Sequence, residues 1–405
     1  MSDGFDRLWA DLEPIGRHPG TGGYRRYTFG AADAELRSWF AGAAASRGLD
    51  VETDGNGNMW AWWGAPGPGA VVTGSHLDSV PDGGAFDGPL GVVSALEAVA
   101  ELRRRGFAPA RPVAVAVFAE EEGARFGVPC LGSRLLTGAI APERAAALTD
   151  ADGVTWAEAM AGAGFDPAGL GPDPERAGRI GAFVELHVEQ GRALADTGDA
   201  VGAARSIWPH GRWRLEFTGR ADHAGTTRLA DRRDPMLPFA RTVLAARSCA
   251  ARNGAVATVG RVRVEPNGTN AVPSRVTAWL DARAPGAAEL DAVVAGVTAE
   301  ARAAAAEHGV RLAEAQESDS PLVEFSAELR DRVAAAAGGA RGPVPVLPTG
   351  AGHDAGVLAS VVPTAMLFVR NPTGVSHAPE EHAERADCHA GVTALADVLQ
   401  DLAGE

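Results

Sequence analysis

Cysteine is scarce in this chain. Its three residues, Cys130, Cys249 and Cys388, are scattered and form no Cys-x-x-Cys pair. That excludes a disulfide framework and a thiolate zinc site, and it fits a reducing compartment. Long apolar runs are also missing. None approaches the roughly 20 residues needed to span a bilayer, and the alanine-rich runs are broken by Arg and Glu, as in helices. Positive charge is in deficit: 37 Lys and Arg stand against 52 Asp and Glu, a formal net charge of -15. Nucleic acid and anionic membrane surfaces are therefore poor partners. Residues 1–6 carry no basic stretch followed by an apolar one, so no secretory leader is expected and a cytoplasmic location is.

What the chain does have is length and apolar content. At 405 residues, with 46% hydrophobic residues, it exceeds one comfortable core and predicts two domains. Helical spacing of apolar residues marks 30–48, 89–105, 131–137, 235–253 and 286–308. Residues 51–53 and 59–63 predict a hairpin around Asp54-Gly55-Asn56-Gly57. Valine-rich 112–118 reads as a strand buried on both faces, and 70–73, 183–188 and 361–368 read similarly. Strands alternating with helices imply an α/β sheet with ligands at the carboxyl ends of its strands. From about Ile207 to Ser320 the strands alternate polar and apolar instead, as in a half-exposed α+β layer. The expected organisation is a discontinuous catalytic domain, 1–210 and 325–405, with an insert at 211–324.

One stretch dominates the chemistry. Residues 71–88 begin as an apolar strand and end in a glycine-rich loop presenting His76, Asp78 and Asp87. An imidazole and carboxylates at the end of a buried strand suit a divalent metal, although an ordinary polar loop after a strand has the same composition. Glu120-Glu121-Glu122, His187 and His377 also follow strands or sit in Gly/Pro-rich loops. Neighbouring glutamates point to opposite faces if extended, so one could bind metal while the other faces a water. A solvated acidic turn is the alternative.

The ordered set Gly74-Ser75-His76-Leu77-Asp78, Phe86-Asp87-Gly88, Glu120-Glu121-Glu122-Gly123, Glu185-Leu186-His187-Val188-Glu189-Gln190-Gly191, Ala221-Asp222-His223-Ala224-Gly225-Thr226 and Ser376-His377 resembles the M20-type dinuclear metallohydrolases. Within them it resembles the amidohydrolase branch: N-carbamoyl-L-amino-acid hydrolases, allantoate amidohydrolases and β-ureidopropionases. The resemblance spans nearly the whole chain. It implies a mixed-sheet α/β catalytic domain and an inserted α+β dimerisation, or lid, domain. It implies two divalent ions per subunit, Zn²⁺ or Mn²⁺ with Co²⁺ and Ni²⁺ as further options. His76 and His187 would each hold a different ion, Asp87 would bridge them, and Glu122 and His377 would complete the shells. Glu121 would be the general base, and Asp78 would stand behind His76 and fix its tautomer. In the peptidase branch an acid stands where His187 is, so this histidine favours the amidohydrolase side.

The same resemblance makes His223 an oxyanion donor that reaches the partner subunit's active site, so the functional unit would be a homodimer joined through the insert. By residue type alone, His223 reads rather as a cap of the helix-rich region. Gln190 would contact the ureido end of the substrate. Asn270 and Arg283 would bind substrate, with Arg suited to a bidentate grip on a carboxylate; a surface pair with Asp281 is the alternative for Arg283. Gly352 and His353 lie in the loop Thr349-Gly350-Ala351-Gly352-His353-Asp354, whose glycines admit close backbone approach. That loop is no dinucleotide site, because no strand with an acidic residue follows at the right distance.

Three segments depart from the resembled pattern: residues 207–213 with Trp208, His210 and Trp213, then Arg228, then residues 370–375. The expected activity is hydrolysis of a linear C–N bond in an N-carbamoyl amino acid or a ureido acid such as allantoate. An M20 aminoacylase or dipeptidase, and a silent binding protein on the same fold, are the alternatives.

Overall fold

The computed structural model describes residues 2–404, with side chains from Gly4 onward. The chain divides into two compact units, one running to Arg205 and resuming at Glu324, the other Ser206–Val323.

The first unit is an α/β layer built on a mixed sheet. Its central strands, Val113–Phe118, Ala70–His76, Ile180–Val188 and Thr364–Val369, are neighbours in that order and run parallel. They are almost wholly buried, as their uninterrupted Val, Ala and Leu content requires of strands covered on both faces. The hairpin Asp50–Thr53 and Met59–Trp63 adds antiparallel strands beyond Val113–Phe118. Helices Pro89–Arg104 and Arg385–Ala403 supply Leu90, Val93, Leu96, Leu395 and Leu399 to the same core.

Because the strands are parallel, their carboxyl ends share one edge. His76 is the last residue of its strand, His187 is next to last in its own, and Phe118 leads directly to the glutamate cluster. Backbone irregularity concentrates there. Glu120, Cys130 and His377 hold positive φ angles of 55°, 54° and 57°, a costly conformation for non-glycine residues that clusters at functional sites. Gly88 has φ 84°, and a Cβ on it would fall 2.5 Å from the His76 ring. Only glycine serves at that point.

The second unit is a four-stranded antiparallel sheet ordered Arg311–Ser320, His210–Thr218, Arg275–Arg283, Val256–Glu265. Helices Met236–Arg252 and Ala287–Glu307 pack their Ala246, Cys249, Val293 and Val297 against Leu280 and Ala282 of that sheet. Trp213 lies against the same cluster. Strand Arg311–Ser320 has no counterpart in the alternation seen in the sequence. It is a polar edge strand, largely exposed, so no apolar face marks it. Among the described residues no helix is long and apolar enough to cross a membrane.

Candidate metal centre

Asp87 sits at the middle of the convergent edge. His187 Nε2 lies 3.2 Å and His76 Nε2 3.6 Å from its Oδ1. His377 Nε2 lies 3.3 Å from its Oδ2 and 3.6 Å from Glu122 Oε2. The potential ligand atoms of His76, Asp87 and His187 lie within 4.8 Å of one another, and so do those of Asp87, Glu122 and His377. The resemblance had put His76 and His187 on different ions; the structure groups them on the same side of Asp87. Strand order is the reason. Ala70–His76 and Ile180–Val188 are hydrogen-bonded neighbours, so rings at their ends stack with centroids 5.8 Å apart.

These donors fit a metal. The Nδ1 of His76 is 3.1 Å from the Asp78 carbonyl and that of His187 is 2.9 Å from the Val188 carbonyl. Each Nδ1–H is thereby committed to the main chain, which leaves Nε2 available to coordinate a cation. Both Nε2 atoms are buried without a hydrogen-bond partner, an arrangement that native interiors rarely tolerate. Imidazole and carboxylate donors suit Zn²⁺, Mn²⁺ or Co²⁺.

The glutamate cluster is a bend rather than an extended segment. Asp78 organises it: its Oδ1 accepts from the Glu121 N–H at 3.2 Å and its Oδ2 from the Glu122 N–H at 3.0 Å. Asp78 therefore supports both His76 and the loop opposite it. Glu120 turns away and accepts from the N–H groups of Arg125 and Phe126. Glu121 is buried, with Oε2 3.7 Å from His76 Nε2 and Oε1 accepting from the Cys130 thiol at 3.3 Å.

The electrostatics follow from crowding. Burial, then the carboxylates of Asp354, Glu122 and Asp78, push Glu121 well above the ordinary glutamate range, against His76. Burial and Asp87 push Glu122 up to about 7. The imidazoles respond in the opposite sense. Burial disfavours the charged form of His76, but Glu121, Asp78 and Asp87 outweigh it and raise its pKa. The Asp87 carboxylate raises His377 to about 9.

The profile of the peptidase family M20/M25/M40 matches residues 72–401. The chain belongs to this family. It is 38% identical to an N-carbamoyl-L-amino acid amidohydrolase of Geobacillus stearothermophilus over 98% of both chains. It is 33% identical to an allantoate amidohydrolase of Escherichia coli over 97% of this chain and 96% of that one. The solved structure of a hydantoinase/carbamoylase family amidase from Burkholderia vietnamiensis superimposes with a TM-score of 0.89 at 33% identity, covering 99% of this chain and 98% of that one.

Gln190, Ser376 and His353 of the first unit lie beside the same centre. Gln190 Nε2 donates to Asp87 Oδ2 at 2.8 Å and to Ser376 Oγ at 3.1 Å. His353 packs its ring edge-to-face on His187, centroids 4.5 Å apart, and burial beside that imidazole pushes its pKa well down. Gly352 is the exposed residue before it. The departing segment 370–375 is a loop wound round buried Asn371, whose Oδ1 accepts from the Thr373 and Gly374 N–H groups. In the insert, the short ladder pairing Ala271 with His223 brings His223 beside Asn270, whose carbonyl accepts from the Ala224 N–H. His223 is exposed, and its Nδ1 accepts from the Gly225 N–H at 3.0 Å, so it caps a turn and no helix. Arg283 lies at the end of its strand and donates to Asp281 at 2.9 Å.

Sequence reasoning missed three buried groups at this centre. Glu381 accepts from the Phe86 and Asp87 N–H groups. Glu185 accepts from Ser75 Oγ and the Ala355 N–H. Asp354 accepts from Ser133 Oγ and is pushed up to about 8 by burial and Glu185. The signal for Glu185 was present, an acid inside a buried strand. Glu381 lies in an ordinary acidic run, so nothing nearby in the sequence singles it out.

Proposed function

We propose that this M20 chain hydrolyses the linear ureido C–N bond of an N-carbamoyl amino acid or of a ureido acid such as allantoate. The observation that carries the reading is the donor set around Asp87, with an imidazole, His187, on the side shared with His76. Relatives named for N-carbamoyl-L-amino acid and allantoate hydrolysis align over nearly the full length. His76, Asp87 and His187 would hold one divalent cation, and Asp87, Glu122 and His377 the other. Two cations there would supply an activated water and polarise the scissile carbonyl.

Glu121 is the general base. It is buried and faces His76, with Oε2 3.7 Å from that ring's Nε2, where a carboxylate can take a proton from a water and return it to the leaving nitrogen. Cleavage of a carbamoyl group releases ammonia and carbon dioxide with the amine. His223 supplies a hydrogen bond to the developing oxyanion. Asn270 and Arg283 bind the substrate carboxylate and its neighbours, Gln190 contacts the ureido end, and the Gly352–His353 backbone borders the substrate. The active unit is a homodimer formed through the insert, working in the cytoplasm.

A substrate panel on Mn²⁺-loaded protein tests this: allantoate, N-carbamoyl-α-amino acids, N-carbamoyl-β-alanine, and N-formyl and N-acetyl amino acids. Ureido substrates should exceed the N-acetyl ones in kcat/KM by about 100-fold or more, as expected where buried polar groups lose their partners. Preference for N-acetyl substrates would move the chain to the aminoacylase reading.

A further inference from the structure

Asp87 is gripped from two directions by residues outside its own loop. Glu381 is 4% exposed, and its Oε1 accepts from both the Phe86 and the Asp87 N–H, each at 2.9 Å. Its Oε2 accepts from Ser376 Oγ at 3.2 Å. Ser376 in turn accepts from Gln190 Nε2 at 3.1 Å, and the same Nε2 donates to Asp87 Oδ2 at 2.8 Å. The hydrogen bonds thus close a ring from the Asp87 amide through Glu381, Ser376 and Gln190 back to the Asp87 carboxylate. Gly84 makes room for it: a Cβ there would fall 2.4 Å from Glu381 Cβ and 2.5 Å from its Oε1.

The loop needs such a grip. Residues 84–88 lack regular secondary structure before the helix Pro89–Arg104 begins. Nothing in the loop itself fixes the direction of the Asp87 side chain. One carboxylate accepting two successive N–H groups fixes the backbone at that residue. Partners one step behind a ligand set its orientation.

We propose that Glu381 is the positioning residue for Asp87: its carboxylate, seated on the Phe86 and Asp87 amides and tied to Gln190 through Ser376, holds Asp87 between the two histidine groups. The proposal rests on the two-ion reading of the centre. Geometry at the amides is what matters, because one oxygen must reach both amide hydrogens while the other end of the side chain stays hydrogen-bonded to Ser376 Oγ. Gln has the length to accept from both amides and can donate to Ser376 Oγ. Asp keeps the charge but is one methylene short.

The experiment measures Mn²⁺ binding by equilibrium dialysis and by chelator competition, with kcat and KM alongside, on wild type, Glu381→Gln, Glu381→Asp and Glu381→Ala. Wild-type protein should bind two ions per chain; one ion would sink the two-ion reading while the order of the variants in affinity for that ion still decides the positioning question, and no bound ion would overturn both. Glu381→Ala and Glu381→Asp should lose about 10- to 100-fold in metal affinity, the range for a partner behind a ligand. Their kcat should fall while KM stays near wild type. Glu381→Gln should remain within about fivefold of wild type in affinity, well short of that range. If Glu381→Ala does not fold, the Gln and Asp pair still decides. Wild-type behaviour of Glu381→Asp, or a Glu381→Gln as impaired as Glu381→Asp, would overturn the proposal, the first by showing that charge suffices and the second by showing that acceptor geometry does not.

Discussion

Asp78 Oδ2 accepts the backbone N–H of Glu122 at 3.0 Å, although 44 residues separate them along the chain. That bond ties the loop after strand Ala70–His76 to the loop after its neighbour Val113–Phe118. With the companion bond to the Glu121 N–H and the Asp78 carbonyl near His76 Nδ1, it makes Asp78 a support for both sides of the centre. Asp78→Ala removes both carboxylate acceptors. The expected loss is about 10- to 100-fold in metal affinity, read by chelator competition, with the far-ultraviolet circular dichroism unchanged. Asp78→Asn, which keeps one acceptor oxygen, should fall between.

Metal uptake should be coupled to protons. His377 is raised from an ordinary 6.5 to about 9 by Asp87, Glu122 and Glu381, against burial. The sign is set by which form the folded protein favours. A raised folded pKa stabilises the metal-free chain below the unfolded value of about 6.5, and that contribution is lost as pH rises through about 9. A cation needs the neutral imidazole, so it must displace that proton. Calorimetry in buffers of different ionisation enthalpy should show proton release on Mn²⁺ binding at pH 7. The release from His377 should disappear above about pH 9. Metal binding without proton exchange at pH 7 would contradict this charge state.

Much of the centre could be read from the sequence because of how α/β sheets work. Parallel strands deliver their following loops to one edge, so His76, Asp87, Glu121, Glu122 and His187 could be grouped once 70–73, 112–118 and 183–188 read as buried strands. Strand order could not be read. The positions of Ala70–His76 and Ile180–Val188 as neighbours decide which histidines share a side of Asp87. The bend at Glu120 was hidden too, because a positive φ at a glutamate leaves no compositional mark. Glu381 reaches Asp87 across 294 residues, a separation at which local pattern carries no information. In the insert, strands with one apolar face were legible and the polar edge strand Arg311–Ser320 was not.

The insert's part can be tested by complementation. His223 is exposed on its short ladder, next to Asn270. If it serves the partner's centre, inactive His223→Ala and inactive Glu121→Gln subunits should restore activity when mixed. Random exchange of equal amounts makes about half the dimers mixed, each with one intact centre, so about a quarter of wild-type activity should return. Full exchange, shown by native mass spectrometry, with no recovered turnover would place His223 outside the partner's centre.

The proposed function requires two ions at the Asp87 cluster and a proton moved by Glu121. The most direct measurement is metal content and turnover on one preparation of Glu121→Gln, with the best substrate from the panel. The predicted result is two ions per chain, as in wild type, with kcat reduced about 100- to 10,000-fold, the usual contribution of a general base. Two bound ions with wild-type turnover would show that Glu121 is not the base.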